Sequence, residues 1–397
     1  MKIGLILTND WEVFGDGSGD YRRVQHQPLE ECLSVVANYG AKMTVMAEVG
    51  QQIWGFKKLG AREPWAADIA AAWEEIMRET IRQGSDVQLH LHPQWLDARY
   101  AEGKWALNLD KWAIGRVDPA EAKSALATGR DYLEELLKPI DASYRCHAFR
   151  AGAYCIQPSG RVIAILRELG FDCDTSVTKG YIDQGFYDYT DAESNMLPWH
   201  VDTDVRYRSA SGNGLLELPI YSFKMLDSFG LRAVLGGSRT KNLLYKLNYG
   251  VPYLERDRQW FKERDRIRAE LYPAENRPYQ TPMHKLKGLL SSPRGWLSLG
   301  LWPVDVQLDY DYLPPNVFVE GVERIFTSRW GKEHGNDDVI LPVVASGHVK
   351  NMHNGENLDR ILESMRAAFG DRLVHWTITD AVNDWMSRSP AVGATAV

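Results

Sequence analysis

The sequence predicts an α/β fold in which a (β/α) barrel is interrupted by a long irregular insertion. Short apolar runs alternate with helix-length amphipathic segments through the first 185 of the 397 residues, which is the pattern of repeated βα units with parallel strands. The alternation is lost between about Gly185 and Gly335 and then returns. A chain that leaves one βα series and re-enters it indicates a single barrel with an inserted segment.

Five apolar runs in the first 185 residues predict the strands Lys2–Thr8, Lys42–Ala47, Val87–Leu91, Ser143–Phe149 and Phe171–Ser176. Apolar residues at helical spacing predict helices between them, over residues 29–36, 69–81, 118–138 and 161–169. Glycines follow three of these helices, as expected at helix C-termini: Gly40, Gly84 and Gly170. Asp118 followed by Pro119 is a start signal for the third helix.

The predicted barrel comprises residues 1–185 and 336–388, and the predicted insertion comprises residues 186–335. Within the insertion we expect only isolated strands, at Leu215–Ile220 and Val306–Tyr310. The barrel then resumes with the strand Asp338–Ala345, the helix Asn357–Phe369, the strand Leu373–Thr377 and a last helix through Ala381 to Met386. Residues 389–397 are small and predict a flexible tail.

The composition is that of a globular protein, with 44% hydrophobic residues and a net charge of −7. The apolar run at the start is too short for a signal peptide or a membrane span, which favours a cytoplasmic location. All four cysteines lie in apolar segments without a Cys-x-x-Cys pair, so we expect them to be structural and reduced: Cys32, Cys146, Cys155 and Cys173.

Positive charge is concentrated in residues 231–300, which contain 14 Lys and Arg against six Asp and Glu and are rich in aromatic residues. Such a segment can contact phosphate or an anionic lipid headgroup, which would place the protein at the membrane periphery. We expect no nucleic-acid partner. The alternative is a solvated helical face whose acids pair with neighbouring arginines: Glu255, Asp257, Glu263 and Asp265.

Two acids mark the end of the first predicted strand. Asp10 and Glu12 are two residues apart, so on an extended strand they point to the same side. The carboxyl end of a parallel strand is where such folds build active sites, and paired carboxylates can hold a cation or act as a base. Seen alone, most such pairs belong to a solvated loop or a helix cap.

Two histidines mark the end of the third predicted strand. His90 and His92 share a face in the sequence Leu-His-Leu-His-Pro, and imidazoles at this spacing suit zinc or a similar divalent ion. A single histidine would more often be a core residue, whereas two at one strand end favour a metal. Two histidines with one carboxylate leave coordination positions open for water and substrate, as hydrolysis requires.

Two further strand ends carry candidate residues. Arg150 follows the strand Ser143–Phe149 and can orient a carboxylate such as Asp10, and backbone amides near Tyr154 can face a developing oxyanion. A structural salt bridge is the alternative role for Arg150. His348 ends the strand Asp338–Ala345 in the sequence Ser-Gly-His-Val-Lys, a suitable place for a general acid.

In this order, these segments resemble the motifs of the polysaccharide deacetylase family (carbohydrate esterase family 4). Thr-Asn-Asp-Trp-Glu resembles its first motif, His90-Leu-His92 its histidine motif, Phe149-Arg150-Ala-Gly-Ala-Tyr154 its arginine motif and Gly347-His348 its final histidine motif. The resemblance covers residues 1–185 and 336–388. It implies a distorted (β/α) barrel of the deacetylase type with a divalent metal ion, expected to be zinc.

The sequence departs from the family pattern in two places. The usual first motif has adjacent aspartates, but here Trp11 separates Asp10 from Glu12. The usual histidines are four residues apart, but here Gln94 stands four residues after His90. The resemblance implies Asp10 as base and Glu12, His90 and His92 as ligands of the metal, with an exchange of the two acids as the alternative.

The implied reaction is N-deacetylation of an N-acetyl amino sugar or an intracellular glycan precursor, with Arg150 orienting Asp10 and His348 as the acid. The aromatic residues Trp95, Trp105 and Trp199 are candidates for stacking on a sugar ring or for core packing. Two alternatives remain: a deformylase or amidase acting on a non-sugar amide, and an inactive binding protein that docks on a membrane or a glycan-assembly partner.

Overall fold

The computed structural model describes residues 1–183, 185–227, 243–248, 254–271 and 302–387. The chain divides into two compact units, one formed by Met1–Ser222 with Gln307–Val397 and the other by Phe223–Val306. The predicted tail, residues 389–397, lies outside the described residues. All residues singled out for chemistry belong to the larger unit.

The described strands, numbered in chain order, are β1 (Lys2–Trp11), β2 (Met43–Glu48), β3 (Asp86–Leu91), β4 (Arg99–Ala101), β5 (Lys104–Ala106), β6 (Ala148–Ala151), β7 (Cys173–Asp174), β8 (Ile182–Asp183), β9 (Tyr187–Asp188), β10 (Trp199–Val201), β11 (Leu215–Glu217), β12 (Ser222–Asp227), β13 (Trp302–Gln307), β14 (Ile340–Gly347) and β15 (Leu373–His375). Nine of these described strands form one sheet, in the order β10-β11-β7-β6-β3-β2-β1-β14, with β15 also paired to β1.

This sheet is parallel except where β10 pairs with β11, and it curls into a barrel-like α/β fold. Beyond β11, Ile220 forms an isolated parallel bridge with Val344 of β14. The backbone N–H of Tyr221 also donates to the Val344 carbonyl oxygen at 3.0 Å. The segment after β11 therefore meets the strand at the other end of the sheet order.

The described helices are α1 (Gln27–Asn38), α2 (Pro64–Arg82), α3 (Pro119–Leu137), α4 (Gly160–Glu168), α5 (Glu255–Leu271), α6 (Pro315–Thr327), α7 (Arg329–His334), α8 (Glu356–Phe369) and α9 (Ile378–Ser387). Shorter helical turns occupy Arg22–His26, Gln51–Lys57, Lys58–Gly60, Pro93–Asp97, Leu109–Lys111, Ile114–Arg116, Gly152–Tyr154, Val349–Asn351 and Gly370–Arg372, and residues 243–248 are also helical.

The helix signals read from the sequence have clear structural causes. The Asp118 carboxylate accepts hydrogen bonds from the backbone N–H groups of Ala120 and Glu121, which caps α3. Gly40 and Gly84, at the ends of α1 and α2, have φ of +62° and +77°. Glycine adopts this left-handed conformation without the steric penalty of a Cβ, so the chain can leave each helix.

Apolar side chains of six sheet strands pack together with α9 inside the larger unit. The cluster contains Ile6, Met46, Ala148, Cys173, Leu216, Leu218, Ile220, Val344, Ile378, Ala381 and Val382. All four cysteines are buried. Burial of this apolar surface fixes the positions of the strands, and therefore of the polar side chains at their carboxyl ends.

Two predicted elements differ from the structure. In the predicted strand Ser143–Phe149, Asp141 accepts hydrogen bonds from both the backbone N–H and the hydroxyl of Ser143; this local turn holds the start of the segment out of the sheet. The separate unit Phe223–Val306 is shorter than the predicted insertion of residues 186–335. The reason is that β10 and β11 pair within the main sheet.

In the smaller unit, β12 pairs with β13, and α5 carries ion pairs between close neighbours. Arg258 pairs with Glu255 at 2.9 Å and Arg266 pairs with Glu263 at 2.7 Å. Most of the segment predicted to contact lipid or phosphate, namely residues 231–242, 249–253 and 272–300, lies outside the described residues. None of the described helices combines the length and apolar character needed to cross a lipid bilayer.

Candidate active site

The predicted site residues meet at the carboxyl ends of neighbouring strands. Residue His90 pairs in register with Arg150 on one side and with Glu48 on the other, and Asn9 pairs with Gly347. Strand pairing therefore brings six side chains together at one edge of the sheet: Asp10, Glu12, His90, His92, Arg150 and His348.

Asp10 and Arg150 form a buried ion pair. Nη1 of Arg150 donates to Oδ1 of Asp10 at 2.5 Å, and the side chains are 0% and 2% exposed for Arg150 and Asp10 respectively. Arg150 Nε also donates to the Thr175 carbonyl oxygen at 2.9 Å, which fixes the guanidinium. Burial alone would raise the pKa of Asp10, but Arg150, with His90 and His348, holds it well below its usual range.

The second oxygen of Asp10 faces His348. His348 Nε2 lies 3.3 Å from Asp10 Oδ2, and the His348 backbone N–H donates to Oδ2 of Asp311 at 2.5 Å. Asp309, Asp311 and His348 form one of two described groups of side chains with metal-ligand spacing. Asp10 is thus an ionised carboxylate between a guanidinium and an imidazole.

His90, His92 and Glu12 form a second group beside Asp10. Nε2 of His90 lies 3.6 Å from Oε2 of Glu12, and Nε2 of His92 contacts the same oxygen. Both Nε2 atoms are buried, and neither makes a hydrogen bond of acceptable geometry within the described residues. Two imidazole nitrogens and a carboxylate oxygen that converge in this way are a donor set suited to a divalent ion.

The remaining nitrogen of each imidazole has a partner that can fix the tautomer. His90 Nδ1 lies 2.9 Å from the Arg150 carbonyl oxygen, so Nδ1 carries the proton and Nε2 has a free lone pair. His92 Nδ1 lies 3.0 Å from the Gln94 side-chain amide. The buried Gln94 Oε1 has no hydrogen-bond partner in the described residues, and exchanging the amide O and N would let it accept from His92 Nδ1–H.

Two charged residues of this site were missed by sequence reasoning. Lys350 Nζ forms an ion pair with Oε1 of Glu12. Burial opposes ionisation of Glu12, but His92 and Lys350 hold its pKa well below the usual range. Glu48, at the end of β2, accepts a hydrogen bond from the His92 backbone N–H at 2.7 Å. The signal for Glu48 was present, since a carboxylate ends the second predicted strand just as Asp10 ends the first.

Tyr154 lies in the turn that follows β6. Ala153 and Tyr154 have φ of +51° and +62°, a strained conformation for residues other than glycine that often occurs at functional sites. The Tyr154 ring centroid is 6.3 Å from that of His348. The turn suggested from the sequence as a source of oxyanion-binding amides therefore lies beside the candidate acid.

Gly152 provides a test of how closely His92 is held. A Cβ built on Gly152 would lie 2.5 Å from Cγ of His92. We expect Gly152→Ala to displace the imidazole and to weaken cobalt binding by about 10–100-fold, the size of effect seen when the support of a ligand is removed. The measurement is a chelator competition titration of the full-length protein with Co²⁺.

The His92→Ala background supplies the control for this substitution. His92→Ala is expected to lose its metal on purification, so its weaker residual binding is titrated at higher Co²⁺ concentration. There the added methyl group has no imidazole to displace, so Gly152→Ala should change this residual affinity by less than about threefold. An equal loss in both backgrounds would mean that Gly152 acts through the backbone and not through His92.

No protein-family model matches the sequence, and no curated protein matches it. Among solved structures, the chain is similar to a GH57-type branching enzyme from Pyrococcus horikoshii, with 12% identity, a TM-score of 0.46 and coverage of 98% of this chain and 72% of that one. A probable polysaccharide deacetylase from Pseudomonas aeruginosa PAO1 matches with 11% identity, a TM-score of 0.44 and coverage of 98% and 91%. At TM-scores below 0.5 these similarities carry neither a family assignment nor a functional conclusion.

Proposed function

We propose that this protein is a metal-dependent hydrolase that removes an N-acyl group, and that its reaction is N-deacetylation of an N-acetyl amino sugar or an intracellular glycan precursor. The observation that supports this is the pairing of Asp10 with both Arg150 and His348, directly beside the two imidazole nitrogens that converge on Glu12. A base, an acid and a metal-type donor set thus share one site.

Glu12, His90 and His92 would hold the divalent ion, which we expect to be zinc or a similar metal. The Nε2 atoms of His90 and His92 are buried, converge on Oε2 of Glu12 and make no hydrogen bond within the described residues, which fits that role. A divalent ion held there supplies Lewis-acid polarisation of the acyl oxygen. Lys350, paired to the other oxygen of Glu12, keeps that carboxylate oriented.

Asp10 acts as the base that takes a proton from the attacking water. Arg150 keeps it ionised and fixes its direction, so the carboxylate is ready at neutral pH. His348 donates a proton to the departing amine, and backbone N–H groups near Tyr154 stabilise the oxyanion. Water and the N-acetyl group are consumed, and acetate and a free amine are formed.

The sugar part of the substrate is proposed from the sequence resemblance and from one aromatic side chain. Trp95 and Trp199 are 2% and 1% exposed, which assigns them to packing. Trp112 is half-buried, and its ring lies 6.2 Å from that of His92. We propose Trp112 as the surface on which a sugar ring stacks.

The first test is the metal content of purified wild type beside His90→Ala and His92→Ala. We expect near-stoichiometric divalent ion in the wild type and its loss in both variants, with the circular dichroism spectrum retained. Wild type should then release acetate from a panel of N-acetyl amino sugars and their nucleotide-linked forms.

The same panel separates the alternatives. Release of formate from formamides, or turnover of non-sugar amides alone, would replace the deacetylase by a deformylase or amidase. A wild type that stays metal-free after incubation with zinc, cobalt, nickel, manganese or ferrous iron would refute the hydrolase and favour a binding protein.

A further inference from the structure

We propose that Glu48 is a fourth ligand of the metal, so that the protein binds the ion through two imidazoles and two carboxylates. This proposal rests on the proposed function, because it takes the same site to hold a metal. The sequence resemblance implies only Glu12, His90 and His92.

The position of Glu48 fits direct coordination. Glu48 ends β2 and pairs in register with His90 on β3. One donor atom each from Glu12, Glu48, His90 and His92 lies within 4.8 Å of those of the other three. Donor atoms on opposite sides of a zinc-sized ion are about 4.2 Å apart, so small side-chain adjustments would bring all four into contact with one ion.

Among the described residues, Glu48 lacks the cationic partner that the other two buried acids of this site, Asp10 and Glu12, each have. Asp10 pairs with Arg150 and Glu12 pairs with Lys350. Glu48 is 0% exposed, and within the described part of the chain it forms no ion pair with a cationic side chain. An unbalanced buried carboxylate is costly, and a divalent ion next to it would remove that cost.

The hydrogen bonds of Glu48 also leave room for a metal. Oε2 accepts from the His92 backbone N–H at 2.7 Å and Oε1 accepts from the Gln51 backbone N–H at 3.2 Å. Each oxygen keeps a second lone pair. Both oxygens can therefore bind a cation without giving up these hydrogen bonds.

Four protein ligands change the expected coordination number and identity of the metal ion. A tetrahedral ion would have no position left for substrate, whereas catalytic sites keep one open. The ion must then be five- or six-coordinate when active, and two carboxylates favour harder ions such as Mn²⁺ or Fe²⁺ over the zinc of a three-ligand site. The proposal therefore predicts coordination number as well as affinity.

The test compares full-length Glu48→Gln with wild type, using Co²⁺ alone as the probe in a chelator competition. Glutamine keeps the size of the side chain and a carbonyl oxygen for the His92 N–H. We expect a loss of more than about 100-fold in affinity, beyond the about 10–100-fold typical of residues that only support a ligand. Asp86→Asn, a buried carboxylate at the opposite end of β3, is the control and should bind Co²⁺ like wild type.

The outcomes separate this proposal from the proposed function. If wild type binds Co²⁺ and Glu48→Gln binds it within about threefold, Glu48 is not a ligand and the hydrolase proposal stands. If wild type binds no divalent ion, both the Glu48 proposal and the hydrolase proposal are refuted. Should Glu48→Gln fail to fold, the visible absorption of wild-type Co²⁺ protein decides: weak bands of a five- or six-coordinate ion support the proposal, and intense tetrahedral bands overturn it.

Discussion

Replacing Asp10 by Asn should lower the rate of acetate release by about 10²–10⁴-fold, the range expected when a general base is lost. The amide cannot take a proton from water, but it keeps the shape of the carboxylate and can still contact His348. Asp10 has no place in the donor group of Glu12, Glu48, His90 and His92. Metal content should therefore stay at the wild-type level, as measured by elemental analysis of the same preparation.

The companion variant Glu12→Gln shows which of the two acids is the base and which is the metal ligand. Glu12 is the carboxylate on which both imidazole Nε2 atoms converge, so its amide variant should lose metal and activity together. If instead Asp10→Asn lost the metal and Glu12→Gln kept it, the roles of base and ligand would be exchanged. The sequence left this exchange open, and the contacts favour Asp10 as the base.

The site could be anticipated from the sequence because parallel strands impose a simple rule. Polar residues just after an apolar run, two apart, point to one side, and the carboxyl ends of such strands share one edge of the sheet. Asp10 and His90 each belong to such a pair, Arg150 lies alone at the end of its strand, and the structure brings the three together. The order of the strands and the alternation of side chains along each strand are enough to bring these three residues together.

The rest depends on interactions that local pattern does not encode. Lys350 reaches Glu12 only because the turn Val349–Asn351 folds back over β1, a contact between residues 338 positions apart. The strands β10 and β11 are three residues long, and although the sequence predicts a strand at Leu215–Ile220, so short a segment does not indicate which strand it pairs with. β11 is placed in the sheet by pairing with β7, and β10 by pairing with β11, so the sequence alone assigned both to the insertion.

Replacing Arg150 by Met should destabilise the protein by about 3–5 kcal/mol, because breaking a buried pair from one side leaves the other charge uncompensated. The side chains of Arg150 and Asp10 are 0% and 2% exposed, so water cannot replace the lost guanidinium. The Thr175 carbonyl oxygen would lose a donor as well. The measurement is the free energy of unfolding from urea denaturation at neutral pH in metal-free protein.

The double variant Asp10→Asn with Arg150→Met is the control for this effect. It removes the carboxylate that Arg150→Met leaves without a partner, so it should recover a large part of the lost stability although it carries two substitutions. If the two single-variant losses simply added in the double variant, the ion pair would not be the cause. The destabilisation of Arg150→Met would then come from packing or from the hydrogen bonds to Thr8 and Thr175.

The pH dependence gives an independent check on the same pair. In wild type the pKa of Asp10 lies below the ordinary aspartate value of 3.8, so its ionisation adds stability above about pH 4 that is lost as the pH falls through the folded-state pKa. In Arg150→Met the guanidinium is gone and burial raises that pKa, so ionisation of Asp10 opposes folding. The difference in unfolding free energy between wild type and Arg150→Met should therefore become smaller from pH 7 towards pH 4. A difference that does not change with pH would mean that the charge of Asp10 is not involved.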